Sequence, residues 1–350
     1  YQSLKRSHSV CAQGGINAAI DAKNEGDSPE KHFYDTIKGG DFLAHQPLVR
    51  DMCYQAPAII HLMDRMGVAF NRTGEGHLDF RRFGGTLYNR TAFAGATTGQ
   101  QLVYALDEQV RRNIHDGNAT ALEWHEYLGA VLDSDGICRG AVIHDLKTDE
   151  IYTLPADAVV LATGGPGQVY GRSTNSVVNT GAAATTAYLQ GAKYANGEFI
   201  QIHPTAIPGQ DKLRLMSESA RGEGGRVWVP RKVDDKRDPK KIPENERFYF
   251  LEEKYPLFKN LVPRDVASRE IYDIVYNQNM GVDGDPMVYL DLTHKSREFL
   301  DNRLGGIMDI YTKFTGVDPR DHPMKIFPAV HYTMGGLWVD YNLETSIPGL

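Results

Sequence analysis

Five short segments gather the side chains that could move protons, bind anions or form a covalent link. Gln201-Ile-His-Pro-Thr205 sets a histidine and a hydroxyl two residues apart. Leu215-Met-Ser-Glu-Ser-Ala-Arg-Gly-Glu-Gly-Gly225 packs hydroxyls, two acids and an arginine against a glycine turn. Leu261-Val-Pro-Arg-Asp265 places an arginine directly after proline, and Ala329-Val-His-Tyr-Thr-Met-Gly-Gly336 runs a histidine into a second glycine turn. Each has a structural alternative. His203 and His331 also suit satisfied core histidines, and the Glu218 segment also suits a helix start with a surface ion pair. The fifth segment is Arg6-Ser-His-Ser-Val-Cys-Ala-Gln-Gly-Gly-Ile-Asn-Ala-Ala19. There a histidine between serines precedes small residues that let backbone N–H groups face a ligand's oxygens.

Elements to position these segments are legible along the chain. Leu102–Arg112 has apolar residues at helical spacing, with Asn113 and Asp116-Gly117-Asn118 as a stop. Trp124–Val131 and Gly140–Leu146 read as strands beside a turn at 133–136. Ala158-Val-Val-Leu-Ala162 reads as a buried parallel strand feeding Ala162-Thr-Gly-Gly-Pro-Gly167. Arg231–Arg247, dense in charge and proline, reads as a solvated surface excursion. Asp265–Gln278 and Phe299–Phe314 read as helices, the second interrupted at Gly305-Gly306, and Gly335–Asp340 as a turn into a strand.

Bulk numbers narrow the class. A chain of 350 residues suits two domains, or one with an insertion, and 41% apolar residues are enough to bury a sizeable core. The net charge of −7, with both signs scattered, argues against a nucleic-acid partner. Cys11, Cys53 and Cys138 are odd in number, widely spaced and form no CxxC. That pattern points to a reducing compartment without a disulfide framework or thiolate metal site. The histidines lack the i, i+4 spacing with acids that a metal site would show. No apolar run is long enough for a membrane span.

Taken together, RSHSVCAQGGINAA, HPT, SESARGEGG, LVPRDVASR and HYTMGG, in this order, resemble succinate dehydrogenase and fumarate reductase flavoprotein subunits. TNSVVNTGAAATTAYLQGAKYANGEF and MKIFPAVHYTMGGLWVDY are similar to the menaquinone-linked branch. The resemblance implies an α/β fold: a Rossmann-like FAD-binding domain interrupted by an α+β capping domain. Residues 1–196 and 333–350 would form the first and 197–332 the cap. The family's opening GxGxxG would lie before Tyr1, and its remaining flavin contacts, second substrate arginine and helical domain after Leu350. On that basis this piece alone is expected to be inactive.

The resemblance implies FAD bonded covalently to His8, with Ser7, Ser9, Gln13, Gly14, Gly15, Ala162, Thr163, Gly164 and Gly165 contacting it. Thr174-Asn-Ser176 continues the match. Thr180-Gly181-Ala182-Ala183 departs from the family's Thr-Gly-Asp-Gly, so the family's aspartate contact is missing at Ala182 or is made differently. Succinate carries two carboxylates, so its site needs fixed cations or donors at both ends. One C–H leaves as hydride and its neighbour as a proton, which calls for a base opposite the flavin. By resemblance His203, Thr205, Ser217 and His331 bind substrate and Phe83 packs over it. Arg264 transfers the proton and Glu218 and Arg221 relay it. An arginine stays charged below about pH 12, so the acceptor role needs a second cation beside it. Implied partners are an iron–sulfur subunit and a membrane-anchoring cytochrome b subunit, with the protein peripheral on the cytoplasmic side of the membrane. A soluble L-aspartate oxidase-type enzyme, with FAD bound noncovalently, and a non-catalytic module are the competing readings. His8 favours the dehydrogenase, and the four substrate segments argue against the non-catalytic module.

Overall fold

The computed structural model describes residues 4–209 and 213–350. Its helices are α1 (Pro29–Gly39), α2 (Gln46–Arg65), α3 (Thr98–His115), α4 (Ala182–Leu189), α5 (Ser219–Gly222), α6 (Phe250–Lys254), α7 (Arg264–Tyr272) and α8 (Arg297–Thr315). Strands in the first part are β1 (Ile16–Asn17), β2 (Phe80–Arg81), β3 (Thr91–Ala92), β4 (His125–Leu132), β5 (Cys138–Asp145), β6 (Glu150–Pro155) and β7 (Tyr194–Ala195). Later come β8 (Ile200–Ile207), β9 (Arg214–Leu215), β10 (Arg226–Pro230), β11 (Arg247–Phe248), β12 (Val288–Asp291), β13 (Met324–Thr333) and β14 (Gly336–Leu337). The class is mixed α/β, as expected.

Two compact units divide the chain: residues 1–8, 106–201 and 330–350 form the first, and residues 9–105 and 202–329 the second. The chain passes between them after His8 and within α3, β8 and β13.

The second unit holds the larger core. Its six-stranded sheet runs β11-β10-β12-β13-β8-β9, with β10 antiparallel to β12 and β12 antiparallel to β13. Val227, Trp228, Val229, Ile271, Leu290, Leu300, Met308 and Ile326 are buried there. Each such side chain contributes about 1.5–3 kcal/mol by leaving water. Trp228 keeps its indole N–H satisfied on Asp291 at 3.2 Å. A small sheet, β1-β3-β2, sits in the same unit. Helix α7 continues through Asp273–Asn277 as a single π-helical turn, so the segment 265–277 is helical and Gln278 caps it. Helix α8 runs unbroken across Gly305-Gly306, against the expected interruption. Gly306 is small for packing: a Cβ there would come within 3.3 Å of Ala96. Segment 231–247 is a surface excursion held by ion pairs such as Arg237 with Asp235 and Glu246, and Ile242 pins it to the core.

The first unit contains the meander β4-β5-β6, whose first two strands fall beside the 133–136 turn as expected. Its core is small and alanine-rich: Ala130, Cys138, Ala187, Ala192, Ile347 and Leu350. The expected parallel strand at 158–162 does not form. A strand draws its bonds from neighbours, and this segment makes one backbone bond of that kind, Val159 N–H to Gly349 O at 2.9 Å. Val160 is left 87% exposed. No described helix is long and apolar enough to cross a membrane.

Candidate functional site

In the second unit the sequence folds a carboxylate between cations. Glu218 precedes α5, and one turn later Arg221 returns its guanidinium to Glu218 Oε1. The Arg221 Nη1 also donates to the carbonyls of Asn260 (2.8 Å) and Val262 (3.1 Å). These carbonyls are presented by the turn that leads through Pro263 into α7, where Arg264 is the first residue. Proline fixes that entry and forgoes an N–H that the helix start would leave unpaired. Arg264 Nε donates to Glu218 Oε2 at 3.1 Å, and His203 Nε2 stands 3.4 Å from the same oxygen. Glu218, Arg221 and His203 are all at least 98% buried, while Arg264 remains partly open.

The electrostatics follow. Burial alone would raise the Glu218 pKa, but Arg221, then His203 and Arg264, hold it well below the carboxylate range. Burial lowers the pKa of Arg221, with Glu218 opposing the shift. Burial and then Arg264 push His203 down to about 4, so it is a neutral imidazole at pH 7. Thr205 N–H donates to His203 Nδ1 at 3.2 Å, which leaves the ring proton on Nε2. The Thr205 hydroxyl donates to Met216 O at 2.7 Å, so Thr205 is occupied behind the histidine. Two guanidinium charges against one carboxylate leave the cluster cationic, suited to an anion with several oxygens.

Ser217 is buried, with Oγ 2.9 Å from Ser219 Oγ. Phe83 follows β2 and rests on Gly14 of the N-terminal segment: a Cβ there would lie 2.7 Å from its ring. Gly84 admits the carboxylate, since a Cβ there would meet Glu218 Oε1 at 2.9 Å. Gly84 and Asn260 were not singled out from sequence for this cluster. The glycine pair 84-85 was the one visible signal.

Ser9, Gln13, Gly14 and Gly15 also belong to the second unit. Gly15 has φ +130°, and a Cβ would overlap the Ala92 carbonyl. Gly99, at the start of α3, admits the Ser9 carbonyl in the same way and donates to Ala12 O at 2.7 Å. Gln13 Oε1 is buried without a hydrogen-bond partner among the described residues.

Ser7, His8, residues 162–165 and His331 belong to the first unit. His8 opens a short 3-10 turn, His8–Cys11, and Ser7 Oγ is a second buried atom without a partner among the described residues. Ala162, Thr163 and Gly164 are exposed, and Gly164 has φ +76°. Asn179 packs on Gly164, and a Cβ on Gly181 would press on Pro166, which requires the glycine ahead of the alanine at 182. His331 Nδ1 is 2.7 Å from Thr174 Oγ1, and Asn175 Nδ2 donates to His331 O at 2.9 Å. The Thr174-Asn-Ser176 motif therefore braces the His331 strand. The site residues of the second unit are brought together around Glu218 and Gly14; in the first, the 162–165 loop packs through Gly165 on Thr333 of the strand that carries His331.

Buried polar atoms without partners beside glycines that admit close approach are the features expected of a segment built to hold a ligand. Comparison with known proteins agrees. Residues 2–350 match the family model described as an FAD binding domain. The chain is 65% identical over 347 residues to the succinate dehydrogenase flavoprotein subunit of Bacillus subtilis strain 168, covering 99% of this chain and 57% of that protein. It is 34% identical over 346 residues to the fumarate reductase flavoprotein subunit of Escherichia coli K12, covering 99% and 55%. A solved quinol–fumarate reductase with menaquinol molecules superposes with a TM-score of 0.86 at 32% identity, covering 99% of this chain and 58% of that one. The chain thus spans little more than half the length of these relatives.

Proposed function

Because this chain belongs to the FAD binding domain family, we propose that its protein is the flavoprotein subunit of a quinone-linked succinate dehydrogenase or fumarate reductase. The observation that carries the reading is the buried Glu218 carboxylate shared by Arg221, Arg264 and neutral His203. That arrangement offers cationic and neutral donors to a dicarboxylate and a path for one proton.

In this proposal His8 bonds covalently to FAD, and Ser7, Ser9, Gln13, Gly14, Gly15, Ala162, Thr163, Gly164 and Gly165 hold it. The unpartnered Ser7 Oγ and Gln13 Oε1 and the cradle at Gly15 fit such a group. FAD supplies the two-electron acceptor when bound. The protein's own residues do the rest. His203, as its Nε2–H tautomer, together with Ser217 and His331, donates to the substrate carboxylates, and Phe83 covers the substrate. Thr205 acts through His203 by fixing its tautomer. Arg264, partly exposed beside Glu218, gives or takes the proton at the substrate carbon. Glu218 passes that proton on, with Arg221 disfavouring double charge. Electrons would pass to an iron–sulfur subunit and then, through a membrane-anchoring cytochrome b subunit, to quinone. The flavoprotein would sit peripherally on the cytoplasmic face.

Acid precipitation of the full-length protein tests the cofactor half. Protein that stays yellow and fluorescent, and loses both in His8→Ala, is the expected result. Release of all flavin on denaturation would contradict the covalent link. Titrating malonate against the flavin absorbance tests the substrate half, with no spectral shift as the contrary result.

A further inference from the structure

The proposed dicarboxylate cluster makes no use of Arg81, a guanidinium only 3% exposed. Arg81 lies on β2, which pairs with β3, which in turn pairs with β1 at the end of the Gln13-Gly14-Gly15 segment. From there Arg81 Nη2 donates to the carbonyl oxygens of Gln13 (3.1 Å) and Gly14. Its guanidinium carbon is 4.1 Å from the Phe93 ring centroid and 5.6 Å from that of Phe83. Among the described residues Nε and Nη1 have no hydrogen-bond acceptor, and Arg81 makes no ion pair. Burial lowers its pKa to about 10, with Glu223 opposing, so the group still carries its charge at neutral pH. A buried cation with two unmet donors is destabilising, and aromatic faces offset only part of that cost.

The backbone geometry gives that cost a use. All described peptides are trans, and in a trans peptide the carbonyl and the following N–H point in opposite directions. With the Gln13 and Gly14 carbonyls turned to Arg81, the N–H groups of Gly14 and Gly15 face away from it. Neither residue has a Cβ to cover them. Phe83 packs on Gly14 and completes the brace. Arg303 holds the neighbouring acids, pairing with Asp79 at 2.8 Å and Glu223 at 2.9 Å, which keeps them from neutralising Arg81 directly.

We propose that Arg81 is a positioning residue for the flavin. It clamps two peptide groups so that the Gly14 and Gly15 amides stand as aligned donors for the flavin's polar edge. Its charge, acting through those peptides, favours the reduced, more negative flavin and raises the reduction potential. The inference rests on assigning His8–Gly15 to flavin binding.

The test uses the full-length flavoprotein as wild type, Arg81→Met and Arg81→Gln. Three readouts are compared: flavin fluorescence after denaturation, midpoint potential by spectroelectrochemistry, and kcat and KM for succinate. Both variants are expected to have a lower midpoint, and Arg81→Met a kcat reduced about 10-fold or more with KM changed less than about 2-fold. Arg81→Gln keeps a donor for the carbonyls and loses only the charge, so it reads the potential even where Arg81→Met fails to accumulate. A flavin-loaded Arg81→Gln protein with unchanged midpoint and kcat overturns the role of Arg81 alone. A wild-type protein that binds no flavin overturns the proposed function and this inference with it.

Discussion

The Glu218 cluster and the 162–165 loop solve different problems. Around Glu218 every charged group meets a partner supplied by the second unit: a carboxylate, two guanidiniums, a histidine and the carbonyls of Asn260 and Val262. That unit surrounds the cluster with aromatic and branched side chains. In the first unit the glycine loop follows an apolar segment that forms no strand, over a small core in which half of the buried residues are alanine. Val160, Val169, Val177 and Leu189 stand exposed there. A polar cluster of this kind must be complete before it is stable, because a buried charge with a partner missing is costly. If the loop holds FAD as proposed, it need only be shaped, since part of its contacts come from the ligand.

Breaking the cluster should therefore cost more than disturbing the loop. Arg221→Met removes the main partner of a buried carboxylate and should lower stability by about 3–5 kcal/mol, read as a fall in urea midpoint. A loss under about 1 kcal/mol would show that Glu218 readily takes up a proton instead.

Acid should weaken the second unit next. His32 and His203 both have folded pKa values near 4, below the unfolded value of about 6.5, chiefly through burial. Between these values the unfolded chain binds more protons, so their stabilisation is complete above pH 6.5 and is lost as pH falls towards 4. The depressed Glu218 adds a loss in the same direction below its own unfolded value. Stability, read from the urea midpoint, should drop between pH 7.5 and 5, by about 2 kcal/mol for His32 at most, and the drop should shrink in His32→Asn. A pH-independent midpoint would contradict the burial of these rings.

Gly84→Ala should cost about 1–3 kcal/mol, because its Cβ would press on Glu218 Oε1. Activity should fall with it. The mildest change is Val160→Ser in the exposed segment, expected within about 0.5 kcal/mol of wild type. A large loss there would mean that the segment is covered in the protein as it works.

The contrast also marks what the sequence made legible. Strands β4 and β5 followed from their runs beside a turn, and α3 from helical spacing, because those signals are local. The segment 158–162 had the composition of a parallel strand, yet pairing is decided by a neighbour that composition does not show. Gly305-Gly306 looked like a break, but an intact α8 uses its small surface against Ala96. His203, Glu218, Arg221 and Arg264 stood out as residue types in segments. Their convergence on one carboxylate was not derivable from spacing, since Arg264 arrives from 46 positions away. Arg81 gave no signal at all: its meaning lies in which carbonyls it faces.

The central claim is that this cluster handles the proton of a dicarboxylate oxidation. The most direct measurement is anaerobic reduction of the flavin by succinate in the full-length protein, followed by stopped-flow absorbance, in wild type and Arg264→Lys. The account predicts rapid bleaching in wild type and a rate lowered about 100-fold or more in Arg264→Lys, with malonate still bound. Bleaching at the wild-type rate in Arg264→Lys would take Arg264 out of the proton path and contradict it.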